Sequence, residues 1–206
     1  MPNWCECRMM IAGPKEDLER FITRAGLRQE EPAFLLSQLY PEPDYKKDTN
    51  TVIKQIAQAE GNESDPLRAV ANRLRRELLQ SDEPGWYEWR LANWGTKWEP
   101  SDVHIIEDID SKPQEYPEGV KRIEIIFSSP WCAPEVGLKR IFAEEPRLSM
   151  FLFYSEPGCD FEGELGIVAG EVNFESQREA RPNWDWMTDD TVEELIKNLR
   201  FESEEE

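Results

Sequence analysis

The sequence predicts an α+β domain with a mostly antiparallel sheet and helices on one face. Three observations predict it. Short stretches of apolar residues alternate with polar ones, as in "WCECRMMIA" and "GVKRIEIIF", and a period of two belongs to half-buried strands. Other stretches carry apolar residues at i, i+3, i+4 and i+7, as Leu18, Phe21, Ile22 and Ala25 do, which is helical spacing. The two kinds interleave, and strand-like runs follow one another closely in the second half.

Each element has its own signal. Cys5, Cys7, Met9 and Ile11 alternate with Glu6 and Arg8, so a strand covers 4–11. Gly13-Pro14 opens a helix over 14–25, with proline suited to the first turn, and Gly26 closes it. "FLLSQLYPEPDY" starts apolar and stops at Pro41 and Pro43. Residues 49–60 carry Val52, Ile53, Ile56 and Ala57 on one helical side. Asp65-Pro66 caps a further helix over 66–79, with Leu67, Val70, Ala71, Leu74 and Leu78 in its stripe. These helical patterns mark 45–80 as an insertion between β-rich parts. Strands are then expected over 87–94, in the short run "VHIIEDI", and over 120–128, 148–154 and 164–174. A helix is expected around 135–144. The last helix spans 190–200, with Asp190 and Glu193 as a capping box and Val192, Leu195, Ile196 and Leu199 buried. The acidic tail 201–206 should fray, since acid at a helix C-terminus opposes the macrodipole. This element order fits a ferredoxin-like βαβ arrangement.

Length and composition agree with one domain spanning 1–206. The 206 residues can bury a core without disulfides or metal. Apolar residues make up 39%, but eight Trp and nine Phe add large burial each, which argues against disorder despite 33% charge. No apolar run approaches ~18 residues, so no membrane span is expected. The opening "MPNWCECRMMIAG" lacks a secretory signal's basic start and apolar core. The expectation is a cytoplasmic protein.

Four blocks carry a resemblance. They are "MPNWCECRMMIAG" at the start, "NWGTKWE" at 93–99, "FSSPWCAPEVGLKRI" at 127–141 and "FYSEPGCDFEG" at 153–163. In this order they resemble the YubB-type ferredoxin-like domain family, carried by phages, plasmids and other mobile elements. The resemblance implies the fold and a bacterial cytoplasmic setting, and no particular activity. Cys7 and Cys132 depart from the family pattern, so the resemblance implies no metal site.

The block "NWGTKWEP" poses the main functional question. Gly95 allows a bulge or tight turn. Trp94 and Trp98 flank it, Lys97 is able to lie over an indole face, and Trp4 and Trp131 are candidates for the same cluster. One reading is an aromatic-walled pocket for a small anion or planar ring. The other is a sheet corner stitched by tryptophans, with Lys97 reaching water. The stitched corner predicts a sharp loss of stability on truncating Trp98.

Catalytic and metal chemistry find little footing. The single histidine, His104, lies in a strand pattern and is expected to face solvent. Cys5, Cys7, Cys132 and Cys159 lack paired C-x-x-C spacing, so buried apolar roles are expected instead of a zinc site. No phosphate-cradling glycine loop or nucleophile elbow occurs. No cofactor or metal is expected.

Charge points to a partner. The net charge is -19, and residues 151–206 hold 16 Asp/Glu against 4 Lys/Arg. Direct binding to a phosphate backbone is disfavoured, and a basic protein is attracted. On the last predicted helix, Asp189 and Glu193, and Asp190 and Glu194, stand at i, i+4 on the exposed side, an acidic row. The expected function is therefore a non-enzymatic interaction protein of a mobile element. Its acidic face would dock on a basic host protein, as DNA-mimicking inhibitors of host defence do. The alternative is a small-ligand or nucleotide-binding module built on the Trp/Lys cluster.

Overall fold

A computed structural model describes residues 3–43, 85–107 and 119–180. The described elements run β1 (Trp4–Pro14), α1 (Lys15–Ala25), α2 (Leu36–Leu39), α3 (Trp86–Asn93), β2 (Ser101–Glu107), β3 (Val120–Pro130), α4 (Glu135–Ala143), β4 (Ser149–Glu156), β5 (Phe161–Val168) and β6 (Glu171–Glu179). The six strands form one sheet in the order β2-β3-β1-β4-β5-β6, and every neighbouring pair is antiparallel. The class is α+β.

The core lies between the sheet and two helices. β1 is central, and its alternate residues Cys5, Cys7, Met9 and Ile11 are buried. Across the ladders these meet Phe127, Ile125 and Ile123 of β3, and Tyr154, Leu152 and Met150 of β4. Each such side chain contributes roughly 1.5–3 kcal/mol on leaving water. α1 buries the predicted stripe of Leu18, Phe21, Ile22 and Ala25. Phe21 meets Phe142 of α4 with ring centroids 5.1 Å apart, so the two helices share one face of the sheet. Beside that contact, Arg20 and Arg24 both reach Glu145 at 3.0 Å. Arg147 reaches the buried Asp17 at 3.0 Å, which ties α1 to the turn before β4. No helix among the described residues is long and apolar enough to cross a membrane.

The chain divides into two compact units, one of Met1–Pro41 with Leu91–Glu206 and one of Glu42–Arg90. The sheet belongs to the first. The second encloses the stretch read as a helical insertion, 45–80. That stretch, the helix expected over 66–79, the helix over 190–200 and the tail 201–206 fall outside the described residues. In the second unit, Arg90 Nε donates to Glu42 at 2.7 Å, and its guanidinium lies 5.3 Å from the Trp86 ring centroid.

Two expectations are corrected. Residues 87–94 are not a strand: Trp86–Asn93 is helix α3, and none of its residues is buried. Tyr87, Trp89 and Leu91 do alternate, but Trp86 and Arg90 are four apart and meet as helical neighbours do. The strand expected over 164–174 is a hairpin, β5 and β6, turning at Ala169 and Gly170 with φ of 52° and 79°. Only one of those two residues is a turn former, and apolar alternation continues on both sides, so the break was masked.

Candidate functional site

One end of the sheet gathers the four blocks. β1 and β2 begin there, β3 and β4 finish there, and β5 starts there. The ladders require it, since Trp4 faces Pro130, Ser101 faces Ser128, Glu6 faces Ser155 and Glu156 faces Phe161.

Polar contacts stitch the connections at this end together. Thr96 Oγ1 donates to the Pro130 carbonyl at 3.2 Å, and the Cys132 thiol donates to the Gly95 carbonyl at 3.1 Å. The Gly137 N–H of α4 donates to the Trp94 carbonyl at 3.0 Å, and the Trp131 N–H donates to the Asn3 carbonyl at 2.9 Å. Glu99 accepts the Leu36 and Ser37 N–H groups at 2.7 and 3.0 Å, holding the start of α2. Gly95 has φ of 83°, and a Cβ there would come within 3.2 Å of Val136. The block therefore needs glycine both for its conformation and for its approach to α4.

The tryptophans divide into two kinds. Trp94 is fully buried, and its indole N–H donates to the Tyr40 carbonyl at 3.0 Å. It is core. Trp4, Trp98 and Trp131 remain 41%, 40% and 45% exposed. Lys97 Nζ stands 3.9 Å from the Trp98 ring centroid, a close cation–π contact. Exposed Glu6, Asp102 and Asp160 stand at the same end. The structure thus brings Trp4, Lys97, Trp98 and Trp131 to one end of the sheet and removes Trp94 from any pocket. Asp189, Asp190, Glu193 and Glu194 lie outside the described residues.

Backbone strain concentrates here as well. Among the described residues, four non-glycine positions have positive φ, and three of them, Asp102 (51°), Trp131 (71°) and Asp160 (57°), are at this end. Aspartate tolerates that region, whereas a bulky residue such as Trp131 is an outlier. Such a conformation costs of order 1–3 kcal/mol and persists where surroundings impose it, often at functional sites. Sequence reasoning missed this, because a φ value leaves no compositional trace at a tryptophan.

A half-buried carboxyl at the start of α4, Glu135, was also missed. Burial pushes the Glu135 carboxyl above its ordinary value of 4.5, against the opposing effects of a hydrogen bond with Tyr154 and the charge of Lys139. Burial, and then the Glu135 carboxylate, push the Tyr154 hydroxyl up as well. Cys7 is raised by burial, and Cys132 is pushed up to about 11 by burial and by nearby Cys5 and Glu135. These thiols are protonated at neutral pH and are not poised as nucleophiles. A carboxyl raised in the folded state stabilises at low pH, and that contribution is lost as pH rises through the folded value. Glu135→Gln is therefore expected to melt higher than the parent at pH 7, with the difference vanishing below about pH 4 in a pH series of melts.

The β4–β5 turn is held differently. Burial works against the Glu156 carboxylate, but hydrogen bonds from the Cys159 thiol, the Gly158 and Cys159 N–H groups and the Asn3 side chain outweigh it and keep it below the ordinary range. Glu156 thus supplies the acceptor that holds the turn through Pro157-Gly158. Cys159 is exposed at this turn, Cys132 is half-buried, and Cys5 and Cys7 are in the core. His104 is exposed on β2.

The chain is thus an α+β protein built on a six-stranded antiparallel sheet with a tryptophan-rimmed end. No protein-family model matches it, and no curated protein matches it. Among solved structures it is similar to the crystal structure of a protein api92 from Yersinia pseudotuberculosis, family-model DUF1281. The identity is 12%, the match covers 89% of this chain and 100% of that chain, and the TM-score is 0.45.

Proposed function

We propose that this chain is a non-enzymatic interaction protein that docks on a basic host protein through the tryptophan end of its sheet. The observation that carries the reading is the exposure of Trp4, Trp98 and Trp131 together on a hydrogen-bonded frame. Tryptophan is among the residues that dominate binding energy at protein interfaces, and a rigid frame lowers the ordering cost of docking. The net charge of -19 selects a basic partner and speeds encounter with it.

The rest of the reading follows the family resemblance. We read the fold as ferredoxin-like. In support, β1, α1, β2, β3, α4 and β4 follow the β-α-β-β-α-β order, with β2-β3-β1-β4 adjacent in the sheet and the β5–β6 hairpin added outside β4. The setting is a phage or other mobile element in a bacterial cytoplasm, and the host target is a protein whose basic groove normally holds nucleic acid. The acidic row Asp189, Asp190, Glu193 and Glu194 is a second contact to that groove. A small-ligand pocket is the weaker reading, because Trp94, which it needs as a wall, is in the core.

The test compares variants for capture of basic host proteins at low and high salt. Wild type is expected to retain a partner at low salt and release part of it at high salt. The triple variant Trp4→Ala, Trp98→Ala, Trp131→Ala is expected to retain its circular dichroism and lose at least tenfold in affinity for that partner. Equal capture by both proteins contradicts the proposal.

A further inference from the structure

We infer that the tryptophan end recognises a basic side chain of its partner by seating the cation on an exposed indole, and that Lys97 occupies the Trp98 seat until the partner's cation replaces it. This rests on the reading of that end as the docking surface and adds the chemistry of recognition.

Three observations converge. The protein makes the contact itself, with Lys97 Nζ 3.9 Å from the centre of the Trp98 ring. The Trp98 ring is not thereby closed off, since the residue is 40% exposed, and Trp4 and Trp131 offer further open indoles at 41% and 45%. The exposed charges at this end include the carboxylates Glu6, Asp102 and Asp160, and the exposed cation there, Arg178, is already paired with Glu162 at 2.5 Å. The acidic balance of the chain disfavours a phosphate, whereas an ammonium or guanidinium meets indole faces and carboxylates at the same end.

The competing cations are unequal. An ammonium is a compact, strongly hydrated charge that returns readily to water. A guanidinium is planar and more weakly hydrated, and it stacks on an aromatic face while donating to neighbouring carboxylates. An arginine brought by the partner therefore gains more on Trp98 than Lys97 loses on leaving it. Lys97 competes for the indole in the free protein and sets a threshold that lone lysine side chains of other proteins do not cross.

The experiment uses the full chain and a blocked peptide of alternating arginine and glycine, with citrulline replacing every arginine in a control peptide. Binding is followed by calorimetry at low salt. Wild type is expected to bind the arginine peptide and not the citrulline one. Lys97→Met is expected to bind the arginine peptide about threefold tighter or more. Lys15→Met, which removes a charge from the first residue of α1, beyond the opposite end of β1, is the charge-matched control and is expected to differ little from wild type. Trp98→Leu, which removes the indole without changing charge, is expected to weaken binding severalfold. Equal affinities for Lys97→Met and Lys15→Met overturn the proposal, as does an unchanged affinity in Trp98→Leu. Should Trp98→Leu fail to melt cooperatively, the two lysine variants decide. If the triple tryptophan variant still loses its protein partner while these peptide comparisons are flat, the docking surface stands and the cation seat does not.

Discussion

Trp94→Ala is expected to cost ~3–5 kcal/mol and to lower the melting temperature by about 10 °C or more. Among the described residues, Trp94 is the largest fully buried side chain. Its backbone carbonyl accepts from Gly137 of α4, and its indole donates to the Tyr40 carbonyl, so it joins the loop before β2 to two distant parts of the chain. Truncation leaves a cavity and removes the indole's hydrogen bond to the half-buried Tyr40 at once, and both terms destabilise. Trp98→Ala, four residues away, removes a ring that is 40% exposed and should shift the melt by much less. Melting curves of the two variants side by side measure the contrast. Equal losses would mean that Trp98 is also core.

Gly163→Ala is the second large effect, at ~1–3 kcal/mol by denaturant titration and toward the upper end of that range. A Cβ at Gly163 would overlap the Tyr154 ring and its hydroxyl and lie 2.7 Å from the Ser176 carbonyl oxygen of β6. The β6 backbone cannot withdraw without breaking the ladder in which Gly163 faces Gln177. Tyr154 cannot swing away freely either, because it is 2% exposed and hydrogen-bonded with Glu135. Glycine here lets β4 and β6 flank β5 closely. A neutral result would require Tyr154 to have an alternative rotamer within the core.

The strands with strict alternation, β1 and β3, were legible in the sequence, as were apolar β4 and the α1 stripe, because burial on one or both faces imposes those patterns. α3 was not. In "WYEWRLAN" aromatic residues satisfy both periods, and a helix with no buried residue has no core face to enforce one. The turn at Ala169-Gly170 was hidden because alanine rarely takes positive φ. At the site, the residue types and the four blocks were readable, but the sorting of tryptophans was not. Trp94 and Trp98 share a short loop, and only the approach of α4 and Tyr40 decides which one is buried. The pairing of Glu135 with Tyr154 joins residues 19 apart in sequence, on α4 and β4, and no local pattern announces it.

The central claim is that the tryptophans divide, with Trp94 holding the core and Trp4, Trp98 and Trp131 meeting the partner. Labelling the full chain with 5-fluorotryptophan gives one fluorine resonance for each of the eight tryptophans, assigned by single substitution to phenylalanine. Titration with the captured basic partner is expected to shift or broaden the resonances of Trp4, Trp98 and Trp131 and leave that of Trp94 in place. A solvent isotope shift before titration should already separate the same three from Trp94. Partner binding that leaves all three exposed resonances unmoved would contradict the account.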